Sequence, residues 1–331
     1  MMGALIDGHD VAMFDLDGVV YLGPEPVAGA VEGITALQAR GVRTVYVTNN
    51  AARPAQTVAD QLRSMGFTVQ LDDLVTSAQA AAGLMRRELP AGAKVLVAGT
   101  SNLVDHMTEA GFEVVASASD RPDAIVQGYD PDMTWRRLDE AAIAVQNGAR
   151  WYACNTDSTR PTERGLVPGA GVAVQAVQVT TRTTPTVTGK PFRPLMEEAV
   201  RRTAAKNPIF VGDRLDTDIA GACTIGIDSC LVFTGVHGKQ DLIEAPADRR
   251  PTSIAWDVPG LLLPARATNA DAHGVRCRDA YVSAPEGVAT VRGDLGDREG
   301  QLDALWALAQ LVWARPGLQY AAALGDLNAV H

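Results

Sequence analysis

Four apolar residues, Val11-Ala12-Met13-Phe14, run without a break into Asp15-Leu16-Asp17-Gly18. A short apolar run of this kind predicts a buried strand. Two carboxylates one residue apart at its end are costly to crowd unless a cation, a shared proton or a reacting substrate compensates them. In parallel α/β folds, ligands collect beyond the carboxyl ends of the strands. The pair therefore points to a sheet whose mouth carries chemistry, and the rest of the chain can be asked for the parts such a site needs.

The next elements alternate. Gly29 to Arg40 has helical spacing at Ala30, Ile34 and Leu37, with Gly41 placed to stop it. Val42 to Val47 reads as a strand that runs into Thr48-Asn49-Asn50. A helix follows from Pro54 to Met65, with Pro54 suited to its first position and Gly66 to its end. This β-α-β-α order predicts an α/β protein with a doubly wound parallel sheet and right-handed crossovers. A second alternating run fills residues 80–178, with strands at Val95–Ala98, Ala124–Val126 and Arg150–Cys154 and a helix over Trp135–Gln146. The first pattern then resumes. Thr186–Thr188 leads to Gly189-Lys190-Pro191, a helix covers Arg193–Ala205, and Ile209–Val211 ends in Gly212-Asp213-Arg214-Leu215-Asp216-Thr217-Asp218. A helix from Asp216 and a strand at Ile227–Phe233 complete it.

These boundaries imply a discontinuous core of residues 1–79 and 179–264, an inserted α/β cap of residues 80–178, and a C-terminal extension of residues 265–331. The extension loses the alternation. It reads as irregular segments or short strands followed by a helix, Gln301–Arg315, striped by Leu302, Leu305, Leu308 and Val312. Its role is unassigned.

Composition narrows the function. At 331 residues and 47% hydrophobic content the chain can bury more than one core, and its formal net charge of −10 disfavours a broad nucleic-acid or anionic-membrane surface. The four cysteines form no CxxC pair, which fits a reducing, cytoplasmic setting. No apolar run approaches the roughly 20 residues of a membrane span, so no membrane insertion is expected. The sequence neither requires nor excludes a homo-oligomer.

Four polar strand ends now stand in order: Asp15/Asp17, Thr48-Asn49-Asn50, Lys190, and Asp213 with Asp216 and Asp218. Together they offer a nucleophile, hydroxyl and amide donors, a fixed cation and oxygen ligands for Mg²⁺. That inventory suits phosphoryl transfer through an aspartyl phosphate. Each part has an ordinary reading of its own. Asp-Gly is turn chemistry, Thr-Asn is a helix cap, a lone lysine is usually solvated, and an acidic run suits a helix N-terminus. Independent caps and turns have no reason to fall in this order at successive strand ends. Other motifs fail. The twelfth place counted from Asp15 is Pro26, which rules out an EF-hand loop, and Gly189-Lys190-Pro191 lacks the glycine and hydroxyl of a P-loop. His9, His106, His237, His273 and His331 are scattered without metal-ligand spacing. Trp306 and Trp313, seven residues apart, suit a helix core or an interface.

The ordered motifs FDLDGV, VTNN, GKP and VGDRLDTD, over residues 10–260, resemble the haloacid dehalogenase (HAD) superfamily. The cap position, with DGVVYLG and TNN, is similar to that superfamily's class IIA branch. The resemblance implies a HAD-like core and a Mg²⁺-dependent phosphatase acting on a small phosphorylated metabolite. Glycerol 3-phosphate comes first, ahead of phosphoglycolate, pyridoxal phosphate or a nucleotide. It implies Asp15 as nucleophile and Mg²⁺ ligand, and Asp17 as a ligand through its carbonyl with its side chain as general acid and then base. Thr48, Asn49 and Asn50 would hold the phosphoryl oxygens, partly through backbone amides, and Lys190 would bridge Asp15 and the phosphate. Asp213 would be a side-chain metal ligand and Asp218 a carboxylate behind the ligands. Arg160, after Asn155-Thr156-Asp157, would grip the polar tail of the substrate. The competing reading is a phospho-acceptor or binding protein that keeps the fold without turnover. Asp17 separates the two, since an acid at that place serves leaving-group protonation and rapid dephosphorylation.

Overall fold

The computed structural model describes residues 3–162 and 164–330, the side chain of Pro161 excepted, so His331 lies outside the described residues. Contacts divide the chain into two units, residues 1–44 with 206–331 and residues 45–205.

In the first unit, four parallel strands stand in the order Ser253–Ala255, Asp228–Val232, Pro208–Gly212, Val11–Phe14. Every residue of Val11–Phe14 and Pro208–Gly212 is buried. Strands covered on both faces read as unbroken apolar runs rather than alternating ones, which is why the sequence announces them clearly. Phe14 pairs with Val211 and the Asp15 N–H donates to the Val211 carbonyl at 3.0 Å, so the two strands end side by side. Helix Ala30–Ala39 buries Ile34 and Leu37, and Gly41 follows with φ +82°, as the helical spacing predicts.

After Gly212 the structure departs from the expected continuous helix. Leu215–Ile219 forms a π-helical turn before helix Ala220–Ile225. The Arg214 carbonyl accepts from the N–H groups of both Asp218 and Ile219. Wide turns of this kind recur at functional sites because they re-aim one side chain; the side chain re-aimed here is Asp218.

The extension is more regular than its sequence suggests. Thr268–Ala270, Gly274–Cys277, Ala280–Ser283 and Thr290–Arg292 form an antiparallel sheet covered by helix Arg298–Ala314. Leu302, Leu305 and Leu308 are fully buried, and Val312 partly. Trp306 and Trp313 meet edge to face, 5.6 Å between ring centroids. One hydrophobic cluster runs from Leu231 and Phe233 of the parallel sheet through Leu302 and Leu305 to Leu324 and Val330. The extension thus shares its core with the parallel sheet. Arg266, 3% exposed at its side chain, pairs with Asp303 at 2.9 Å and donates to the Ile254 carbonyl at 3.0 Å, which leaves neither charge stranded.

In the second unit, a five-stranded parallel sheet has the order Thr186–Val187, Arg150–Ala153, Ala124–Gln127, Lys94–Ala98, Glu113–Val115. Helix Trp135–Gln146 has the bounds its periodicity predicts. Helix Ala55–Ser64 is capped by Pro54, which stands one place outside the helix rather than at its first position. A hairpin, Thr159–Thr162 with Gly165–Pro168, follows the Asn155-Thr156-Asp157 loop and has no counterpart in the sequence reading. None of the helices among the described residues is long and apolar enough to cross a membrane.

Candidate active site

At the strand ends of the first unit, carboxylate oxygens of Asp15, Asp213 and Asp218 lie within 4.8 Å of one another. Asp213 and Asp218 are fully buried. Asp213 is packed against two glycines. A Cβ on Gly18 would stand 2.5 Å from its Oδ2, and one on Gly235 would stand 2.0 Å from the same atom. The Val236 N–H donates to that oxygen at 2.7 Å. Asp218 reaches the group because Gly212 has no side chain: a Cβ there would meet the Asp218 Cβ at 2.2 Å. Its Oδ2 accepts from the Arg214 N–H at 3.1 Å. The sequence reading has Asp218 as a carboxylate behind the metal ligands, and the structure places it within 4.8 Å of Asp15 and Asp213. Three like charges so close repel unless a cation joins them, and an all-oxygen donor set suits a hard divalent ion.

Asp17 is exposed and its side chain lies outside this trio, with the Tyr21 hydroxyl 3.5 Å from Oδ2. Asp216, the third acid of that strand end, is held in a two-point pair by Arg214 at 3.1 and 2.9 Å. Burial opposes its ionisation, but Arg214 outweighs that and holds its carboxyl below the usual range. The segment after Asp228–Val232 also builds this corner, and sequence reasoning missed it. The Thr234 hydroxyl donates to the Gly18 carbonyl at 2.6 Å, and His237 Nδ1 accepts from the Leu215 N–H at 2.7 Å. Its one legible signal is a glycine, Gly235, just past a strand.

The second unit gathers another group. Thr48 is buried, and its Oγ1 accepts from the Asn50 N–H at 3.1 Å. Asn50 turns its own carbonyl oxygen onto the N–H groups of Ala52 and Arg53, so its side chain caps the turn. The Asn49 side chain clasps the backbone of Lys190, accepting from its N–H at 2.7 Å and donating to its carbonyl at 3.2 Å. The Asn49 carbonyl accepts from Ser77 Oγ at 2.6 Å and from Asn155 Nδ2 at 2.8 Å. Both asparagine side chains therefore shape the loop, and Asn49 ties it to Lys190. Gly189 is required at this junction, since a Cβ would lie 2.4 Å from the Cys154 carbonyl and 2.7 Å from Asn49 Oδ1.

Lys190 is only 4% exposed, with Nζ 3.4 Å from the Val47 carbonyl. A buried lysine is far from the solvated one that its residue type alone suggests. The neighbouring thiol of Cys154 is no rival nucleophile, because burial pushes it up to about 12. Arg160 lies on the hairpin, exposed, its guanidinium 5.0 Å over the Tyr129 ring and 3.1 Å from the Tyr129 hydroxyl.

Parallel strands that end in a carboxylate trio, with helices alternating between them, suit a metal-assisted phosphoryl-transfer site, and the family comparisons make it that of a hydrolase. Residues 12–113 match the haloacid dehalogenase-like hydrolase family, and residues 187–261 match a second, HAD-hydrolase-like model. The chain belongs to the haloacid dehalogenase-like hydrolases and is a phosphoric monoester hydrolase. Among its relatives, D-glycerol 3-phosphate phosphatase of Mycobacterium tuberculosis is 45% identical over 260 residues, 78% of this chain and 73% of the relative. An acid sugar phosphatase of Staphylococcus aureus is 36% identical over 232 residues, 70% of this chain and 88% of the relative. Of solved structures, glycerol phosphate phosphatase from M. tuberculosis in complex with magnesium superposes with a TM-score of 0.89 at 38% identity, covering 99% of both chains. The p-nitrophenyl phosphatase of Archaeoglobus fulgidus gives 0.71 at 28% identity over 77% of this chain and 98% of that one.

Proposed function

We propose that the chain hydrolyses glycerol 3-phosphate to glycerol and phosphate with Mg²⁺ as cofactor. The observation that carries the substrate is the likeness to a glycerol phosphate phosphatase over nearly the whole chain, extension included. The cofactor is supported by the all-carboxylate trio Asp15, Asp213 and Asp218. These residues would hold the ion, which supplies charge neutralisation at the phosphoryl group.

In the proposed chemistry, an Asp15 oxygen attacks phosphorus and the ester bond to the glycerol oxygen breaks. Asp17 gives its proton to that oxygen as it leaves. The Asp17 carboxylate then takes a proton from water, whose oxygen attacks the phosphoaspartate, releasing phosphate and restoring Asp15. The roles of Thr48, the backbone amides at Asn49 and Asn50, and Lys190 are to balance charge on the phosphoryl oxygens. Asn49 would act by holding Lys190 in place. Residues 80–178 are proposed as the cap that sets specificity, with Arg160 facing the glycerol hydroxyls. Four free cysteines, three of them buried, favour a reducing cytoplasmic setting.

A panel of phosphate monoesters assayed with Mg²⁺ tests the substrate. Glycerol 3-phosphate should show the highest kcat/KM, ahead of phosphoglycolate, pyridoxal phosphate and nucleotides. A rival with higher kcat/KM replaces it, and a stable phosphoprotein with no phosphate release turns the reading to a phospho-acceptor. Arg160→Ala should raise KM for the best substrate roughly tenfold with kcat little changed, as loss of a charged hydrogen bond implies. An unaltered KM removes Arg160 from substrate recognition.

A further inference from the structure

The second unit contains a cleft of about 550 Å³, lined by none of the site residues above, that runs along helix Ser77–Glu88 from Gln79 to Arg87 and is flanked by the C-terminal halves of helices Ser101–Glu109 and Arg193–Thr203. Its lining includes four arginines, Arg86, Arg87, Arg201 and Arg202, against two carboxylates, Glu109 and Glu198. In a chain of formal net charge −10, this is a local reversal of sign. Basic residues at helix C-termini complement the helix dipole, which accounts for each arginine singly. It does not account for four arginines from two helices lining one cavity.

The charges are unequally matched. Glu198, buried, holds Arg201 in a two-point pair at 2.5 and 3.1 Å. Arg202 donates to the Leu74 carbonyl at 3.0 Å and to Gln79 Oε1 at 2.7 Å, which orients its guanidinium without neutralising it. Its nearest acid, Asp72, is 3.9 Å away and 92% exposed at its side chain, a pair that water screens. Arg86 and Arg87 have no ion-pair partner among the described residues. His106 also lines the cleft, and its Nε2 is buried with no hydrogen-bond partner. Arg86 and Arg87 thus carry unpaired charge among the described residues, and Arg202 is offset only by its screened pair with Asp72.

We propose that this cleft is a second anion site, distinct from the phosphoryl-transfer residues, for a ligand carrying a linear di- or triphosphate. Guanidinium forks match phosphoryl oxygens two at a time, and three of them suit a chain of linked phosphates better than a single phosphate. The volume lies within the range of small-ligand pockets.

Calorimetric titration of the metal-free protein with tripolyphosphate, and separately with ATP, tests this. The expected result is one saturable site for tripolyphosphate, weakened at least tenfold in Arg86→Gln/Arg87→Gln, which removes charge without reversing it at a helix C-terminus and should lower the melting temperature only slightly. Comparable binding of ATP assigns the site to nucleotide phosphate tails, and its absence assigns it to free polyphosphate. Two controls, Arg136→Glu at an exposed position of helix Trp135–Gln146 and Thr48→Val, should leave affinity within about twofold. Absence of binding by the wild-type protein overturns the proposal. So does equal loss in Arg136→Glu, which would mean general charge attraction, or loss in Thr48→Val, which would mean binding at the catalytic loop.

Discussion

Asp15→Asn is expected to lower kcat by about four orders of magnitude or more, in line with removal of a covalent nucleophile elsewhere. The amide keeps the size of the carboxylate but is a poor nucleophile, and it removes one member of the trio with Asp213 and Asp218. The same substitution should not unfold the protein. Without metal, three carboxylates within 4.8 Å repel one another, so losing one charge relieves strain. Thermal melts should therefore show Asp15→Asn at least as stable as the wild type in EDTA, while the stabilisation that Mg²⁺ confers on the wild type by binding the folded state shrinks. Retention of more than about 1% of wild-type turnover would remove Asp15 as nucleophile. A marked loss of stability in EDTA would instead show that its carboxylate is structural.

Gly235→Ala should act directly on the carboxylate trio. The added carbon would stand 2.0 Å from Asp213 Oδ2 and 2.5 Å from Asp213 Cγ, well inside contact distance. Asp213 is fully buried and anchored by the Val236 N–H, so the carboxylate has nowhere to go without giving up its place in the trio. Overpacking of this kind costs about 1–3 kcal/mol. The displaced ligand should raise the Mg²⁺ concentration for half-maximal activity by a hundredfold or more, on the scale of lost charge stabilisation at phosphoryl-transfer sites. Gly8→Ala is the matched control, because nothing lies within 4 Å of its added Cβ. Wild-type Mg²⁺ dependence in Gly235→Ala would mean that Asp213 is not a ligand.

Much of the site is legible in the order of residues because its parts lie at the ends of strands buried on both faces. Val11–Phe14 and Pro208–Gly212 are wholly apolar, so the polar residue that follows each is conspicuous. Helix Trp135–Gln146 is also legible in the sequence, and the structure adds its cap, the Thr134 side chain accepting from the Arg137 N–H. The hairpin Thr159–Thr162 with Gly165–Pro168 was not, because Thr-Arg-Pro-Thr has neither alternation nor a turn signature. Nor was the π-helical turn at Leu215–Ile219, whose extra residue per turn has no compositional mark. The resemblance implies that the loop of Thr48, Asn49 and Asn50 holds phosphoryl oxygens partly through its backbone amides, and it leaves the task of the two asparagine side chains open. Which way an amide side chain points is decided by the backbone groups within its reach, here those of Lys190, Ala52 and Arg53.

By itself the amino-acid order determined the parallel α/β plan and the class of reaction. Periodicity and residue chemistry are local properties, and one strand with its loop displays them in full. The tertiary structure decided that Asp218 stands level with Asp15 and Asp213 and that Gly18, Gly212 and Gly235 are there to let carboxylates approach. It also decided that the extension shares a core with the parallel sheet and that arginines of two helices line one cleft. Each of these is a distance between residues far apart in the chain, set by how whole elements pack, and no local pattern encodes it.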